Sequence, residues 1–459
     1  KREADKISML TFGFWDYAII IGYFVTAVWI GFRSGKKDGN AEDYLVMGRR
    51  LTLPAFVATL VASFYGGILG VGEFTYKYGV SSWFLNAFPY YIFIFLFAIF
   101  LAKKIRQSKL YTIADKLELT YGRNVSIFGA SMVFLLVTPA PYVFMLGLLT
   151  SMVFGFPLWI SMVITLVFSI IFLFKGGLNA DVRVNVFEFI LMFAGFGIIL
   201  PFCYSTFGGA DYLNANLPTT HLSLTGGNSV TYILVWFFIG AWAIVDPGFH
   251  QRCYAAKDEN TARKGIFVSL IFWFIFDAMT TITGLYAVSS LNNLQDPAMS
   301  YPLLAESILP QFAKGFFFIG LLATIMSTLH SNLFISATTL GKDIIQRFKN
   351  TKDEENKYTK FGIVITSIIS LLIAFLVPSV VQIWYLVGSL TIPSLLIGVV
   401  SSYFEVLQID RKWIFSAMIV SFLFSLIWVI FSIGIIEPMY PGLVSGLMVY
   451  LIGRLFKKK

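Results

Sequence analysis

The chain has 459 residues, 57% hydrophobic and 13% charged, with a formal charge of +9 and a mean hydropathy of +0.77. A soluble domain is closer to one quarter charged, so the composition excludes one and indicates an integral, polytopic membrane protein. The excess of Lys and Arg is spread over many short loops and not gathered on one aqueous face, which excludes a nucleic-acid-binding surface.

A bilayer span takes roughly 20 apolar residues. By that measure the sequence predicts thirteen spans, at 14–32, 53–79, 84–102, 126–153, 157–174, 184–206, 230–250, 265–289, 315–345, 361–378, 381–403, 413–435 and 440–455. The first has its heavier basic flank, RSGKKDGNAEDYLVMGRR, after it, and reads as an outside-in span and not as a cleavable signal peptide. A start at Lys1 instead of Met is expected of a trimmed end. With the N-terminus outside and the C-terminus cytoplasmic, 29 of the 34 Lys and Arg fall on the inner side, leaving Lys1, Arg2, Lys6, Lys77 and Lys314. This follows the positive-inside rule, supports an odd number of spans and fits a plasma (inner) membrane protein.

The second span carries ASFYGGILG (62–70). Adjacent glycines weaken a helix by about 1 kcal/mol each relative to alanine. In a bilayer an interrupted backbone is tolerated only where the freed groups meet protein, water or an ion. Glu73 lies beyond this break with Lys77 one turn later, either as an i,i+4 ion pair or as a partner for a substrate cation. The seventh span, five spans on, carries AIVDPGF, where Pro247 removes a backbone donor. Asp246 either caps the helix that follows or faces a cavity, and Trp242 sits one turn before it. Interruptions at corresponding places predict two inverted five-helix halves, at 53–206 and 230–403. Such halves build a binding site near the midplane. Residues 14–32 would be an additional first helix and 413–455 two additional last ones, within one transmembrane domain spanning 1–459.

Asp277 lies in the middle of the eighth span with no cation near it in sequence, and would be protonated, paired across helices or used in proton coupling. The ninth span holds LLATIMSTLHSNLF (321–334). A hard cation wants several oxygen ligands. The carbonyls of Ala62 and Tyr65 at the break, the Thr324 carbonyl and the Ser327 and Thr328 hydroxyls offer five without a second charge. Hydroxyls in membrane helices also back-bond to their own helix, and the residues alone leave both readings open. His221, His250 and His330 are expected in hydrogen bonds or loops. KNTKDEENKYTK (349–360) is expected to be a solvated loop, and Cys203 and Cys253, near opposite faces, are not expected to pair.

Five stretches, EDYLVMGRRL (42–51), TIADKLELTYG (112–122), GGLNA (176–180), DPGFHQRCYAAKDENTARKG (246–265) and ATIMSTL (323–329), together resemble the sodium:solute symporter family. The resemblance implies an all-α membrane protein with a leucine-transporter-type 5+5 inverted-repeat core. It implies one sodium (Na+) site formed by Ala62, Tyr65, Thr324, Ser327 and Thr328, between the first and eighth core helices. Several relatives place an aspartate near an additional sodium site where this chain has Asn185, so any such site would rest on Asn185 or on Glu188, the latter more expected to pair with Arg183 or face inner water. For the substrate, Gly66, Gly67, Glu73, Trp242 and Asp246 are the candidates. Gly66, Gly67, Ile68 and Leu69 argue against a sugar, while Glu73, Asp246 and Trp242 would suit an organic cation.

The function expected is therefore sodium-coupled symport of a small organic solute, with a proton-coupled carrier as the alternative. An enzyme is not expected, since no Ser-His-Asp order, HExxH, phosphate loop or CxxC is found. The expected partners are the solute, sodium and the lipid bilayer, with no obligate protein partner evident.

Overall fold

The computed structural model describes residues 10–34, 40–349, 355–377, 380–431 and 436–457. Lys1, Arg2 and Lys6, residues 350–354 of the expected loop, residue 378 of the tenth span and 432–435 of the twelfth lie outside the described residues. Among the described residues the secondary structure is helical, with one isolated parallel bridge between Leu51 and Ala256.

The principal helices in chain order are α1 (Phe14–Arg33), α2 (Leu53–Phe64), α3 (Ile68–Tyr78), α4 (Phe88–Phe100), α5 (Arg123–Leu136), α6 (Ala140–Phe154), α7 (Leu158–Ile170) and α8 (Leu173–Phe207). They continue with α9 (Val230–Ile239), α10 (Pro247–Ala255), α11 (Glu259–Ser290), α12 (Ala313–Thr338), α13 (Glu355–Leu376), α14 (Val380–Tyr403), α15 (Arg411–Phe431) and α16 (Met439–Leu455). Among the described residues ten stretches are long and apolar enough to cross a membrane, or eleven with the bent pair α2–α3 as one span; α7 and α16 are shorter apolar helices. The expected count of thirteen is reached only if both of these also cross.

Two interruptions were not anticipated. The fourth span is broken at 137–139, where Pro139 precedes α6 and cannot donate to the preceding turn. The seventh is broken twice, at Gly240–Ala241 and again at Asp246, with the single turn Trp242–Val245 between.

At the centre stands α12, buried along nearly its whole length and packed on α8, α2 and α6. Its approach to α8 depends on two glycines. A Cβ on Gly195 or on Gly320 would lie 2.8 Å from the other's Cα, so any side chain there would push the helices apart. Gly177, in GGLNA, has φ +51°, and an added Cβ would strike the Tyr44 carbonyl. That left-handed backbone kinks the start of α8 and admits the segment Ala41–Val46 beside it. α1 packs on α8 and α12.

Candidate functional site

The first break separates α2 from α3 by a 59° bend. Tyr65, with φ −96° and ψ 11°, leaves the helix, and its N–H makes only a long 3.4 Å bond to the Ala62 carbonyl. α12 passes directly against this turn. Ser327 Oγ lies 2.9 Å from both the Ala62 and the Thr324 carbonyl oxygens, and Thr328 Oγ1 lies 3.4 Å from the Ala62 oxygen. A Cβ on Gly66 would overlap the Thr328 side chain, which is why a glycine stands there. Four oxygens from two helices, all from buried residues, thus converge without a charge. The Thr324 hydroxyl back-bonds to the Gly320 carbonyl at 2.6 Å, so only its carbonyl is offered. The Tyr65 side chain turns the other way, its hydroxyl meeting Asp277 and lying 3.0 Å from Thr280 Oγ1.

At the second break Asp246 is extended and caps α10, accepting from the Phe249 N–H at 3.1 Å and from Trp242 Nε1 at 3.1 Å. Pro247 follows at the first helical position, where its missing N–H is no loss. Between the two breaks lies a cavity of about 130 Å³, lined among others by Tyr65, Gly67, Trp242, Asp246, Asp277 and Trp384. Asp277 is held by two phenols, Tyr65 on one oxygen and Tyr91 on the other.

Of the substrate candidates, Gly67, Trp242 and Asp246 line this cavity. Gly66 faces Thr328 instead, and Glu73 is tied to Lys77 at 2.6 Å as an i,i+4 pair away from the cavity. The Asn185–Glu188 region also differs from expectation. Glu188 neither pairs with Arg183 nor meets water: it is fully buried, accepting from the Tyr23 hydroxyl at 2.8 Å and lying 2.9 Å from His330 Nε2. The other ring nitrogen of His330 is 2.7 Å from Asp181 Oδ1. Arg252 Nη2 reaches Asp181 Oδ2 at 2.8 Å, Ser331 Oγ at 3.0 Å and Thr59 Oγ1 at 3.3 Å. Asn185 donates from Nδ2 to Thr59, Asp181 and Ser331, while its Oδ1 is buried without a partner. The space beside Asn185 therefore already holds a protein cation.

This buried ionic network was missed in the sequence, although Arg252 sits inside the 246–265 stretch, Asp181 directly follows GGLNA, and an intramembrane charge signals a partner. His250 bonds the Ile244 carbonyl at 3.0 Å, His221 bonds the Tyr76 carbonyl at 3.0 Å, and both cysteines are free.

Two broken helices facing one cavity, the first packed on a hydroxyl-bearing helix, make the architecture of a secondary transporter. The sequence matches the profile of the sodium:solute symporter family over residues 44–405, and the chain belongs to that family. It is 24% identical to the mouse sodium-coupled monocarboxylate transporter 2, covering 80% of this chain and 64% of that protein's length. It is also 24% identical to the sodium/pantothenate symporter of Escherichia coli, over 95% of each chain. A Na+-coupled sialic acid symporter in a substrate-bound outward-open state superposes with a TM-score of 0.83 at 16% identity, covering 97% of this chain and 98% of that one. Mhp1, a nucleobase-cation-symport-1 family transporter, superposes at 0.52 with 13% identity, covering 98% and 93%. The fold is accordingly the leucine-transporter type expected, in an integral multi-pass membrane protein, and these relatives are transporters and not enzymes.

Proposed function

We propose that the chain carries a small organic solute across the membrane together with one sodium ion, by alternating access. The observation that carries this reading is the convergence of the Ala62 and Thr324 carbonyls with the Ser327 and Thr328 hydroxyls across the break. Tyr65, whose carbonyl lies in the same turn, completes the set. Sodium held there would tie α2 to α12 and so favour the state that receives the solute. By linkage, each ligand then raises the other's affinity by the same factor.

One sodium rather than two is favoured because Arg252 and His330 already stand against Asp181 and Asn185. The paired breaks facing one cavity support halves at 53–206 and 230–403, and the basic loops support an N-terminus outside an inner membrane. The solute cannot be carried over from relatives, whose names span monocarboxylate, pantothenate and sialic acid.

Equilibrium binding of radiolabelled sodium to the purified protein tests this. One ion per chain is expected, lost in Ser327→Ala/Thr328→Ala. Two ions, or binding unchanged in the double variant, would refute it.

A further inference from the structure

We infer that the cavity between the two helix breaks takes a small organic cation, an amine or quaternary ammonium; this names the solute class for the transport reading above and rests on it. Two carboxylates line the cavity, Asp246 and Asp277, only 8% and 7% exposed. The hydrogen bonds they receive come from neutral donors: the Trp242 indole and the Phe249 and Gly248 amides for Asp246, and the Tyr65 and Tyr91 phenols for Asp277. Arg252 is the one Lys or Arg among the lining residues, and its guanidinium is committed to Asp181 at 2.8 Å. No described Lys, Arg or His nitrogen lies within salt-bridge distance of either carboxylate.

Arg252 acts on Asp246 only through space and is bound to Asp181, and Asp277 has no cation within reach, so two buried carboxylates in a mostly apolar cavity are expensive to keep ionised. A bound cation supplies the missing charge, and an anion would meet both carboxylates. The walls point the same way. Trp242, Trp384 and Tyr90 contribute aromatic surface, whose negative faces attract ammonium groups. The Trp384 ring lies so close over Gly67 that a Cβ there would overlap it, bringing this indole onto the first break. Solute charge at Asp246 and Asp277 and sodium at the α2–α12 contact would share Tyr65, which reaches both.

The test compares organic cations with an uncharged analogue of one of them and with an anion. Thermal unfolding of the purified protein in sodium buffer is followed with four cations (choline, ethanolamine, tetramethylammonium and putrescine), with 3,3-dimethylbutan-1-ol, the uncharged carbon analogue of choline, and with acetate. At least one cation should raise the midpoint at millimolar concentration, while the uncharged analogue and acetate do not. Asp246→Asn and Asp277→Asn should each raise the cation concentration needed by tenfold or more. The wild-type comparison stands even if a variant misfolds, and each variant's sodium shift reports its fold. A preference for the uncharged analogue or acetate, or no response to any of the four cations, overturns the assignment. If sodium still stabilises the protein in that case, the transport reading survives. If cations bind but sodium has no effect, the cavity assignment stands and sodium coupling fails.

Discussion

Arg252→Met is the sharpest probe of how this interior is held together. Arg252 and Asp181 are both fully buried, and Nη2 of the arginine serves Asp181, Ser331 and Thr59. Methionine fills much of the volume but leaves Asp181 with His330, Ser331 and the Asn185 amide as its remaining partners. Removing one member of a buried pair costs about 3–5 kcal/mol, because the other charge stays desolvated. Removing both in favour of neutral groups of similar size is often close to neutral. With an unfolding entropy of ~2 cal/mol/K per residue, a chain of this length loses roughly 1 °C per kcal/mol, so Arg252→Met should lower the midpoint by about 4 °C. Arg252→Met/Asp181→Asn should recover at least half of that loss. The assay is thermal unfolding in detergent, followed by intrinsic tryptophan fluorescence, for both single variants and the double. A single variant within 1 °C of wild type, or a double whose loss is the sum of the singles, would refute the picture of a charge pair tying α10 to the start of α8.

Further expectations concern the break, the helix packing and the basic face. Gly66→Ala places a methyl in the Thr328 side chain, and overpacking of about 1–3 kcal/mol should appear as sodium affinity reduced roughly tenfold or more in radiolabelled-sodium titration. Unchanged affinity would mean that α12 does not press on the break. Gly320→Val should force α12 off α8 and lower the unfolding midpoint by a few degrees, whereas Gly197→Ala, where only the end of Met279 is near, should be silent. In the helix Ile113–Tyr121, burial acts to raise the Asp115 carboxyl, but Lys342 at 2.5 Å and Arg347 beside it hold it below its ordinary value of 3.8. A depressed carboxylate adds stability that is complete above the ordinary value and lost as pH falls through the folded one. The Asp115 contribution should therefore be whole down to about pH 5 and lost below pH 4, while the Asp343 carboxyl beside it is shifted up by burial and runs the opposite way; Asp115→Asn should remove the former while lowering the neutral-pH midpoint.

Much of the span pattern was legible in the sequence because hydropathy and breakers act locally. The break at Tyr65-Gly66-Gly67 and the capping role of Asp246 follow from residues next to one another in the chain. The partners were not legible, because they come from distant segments. Asp277 meets Tyr65 and Tyr91, 212 and 186 residues away, and nothing local distinguishes those phenols among 22 tyrosines. Trp384 closes on Gly67 from α14, although ten tryptophans were equally eligible. Glu188 was expected to pair with its helical neighbour Arg183 or to face inner water, which misses how α1 and α12 present Tyr23 and His330 to the same carboxylate. The glycines proved easier to explain than to assign in advance. Gly66 is required by Thr328 and Gly67 by Trp384, so a break that looked purely conformational is also a docking surface for two other helices.

The central claim is that sodium binds the oxygens joining the first break to α12. Thermal unfolding in sodium against equal potassium, for wild type and Ser327→Ala/Thr328→Ala, tests it without knowledge of the solute. Sodium at 100 times its Kd should stabilise the wild type by about 2.7 kcal/mol, a rise of roughly 3 °C. The double variant should unfold at the same temperature in both salts. A wild type indifferent to sodium, or a sodium shift that survives loss of both hydroxyls, would contradict the site.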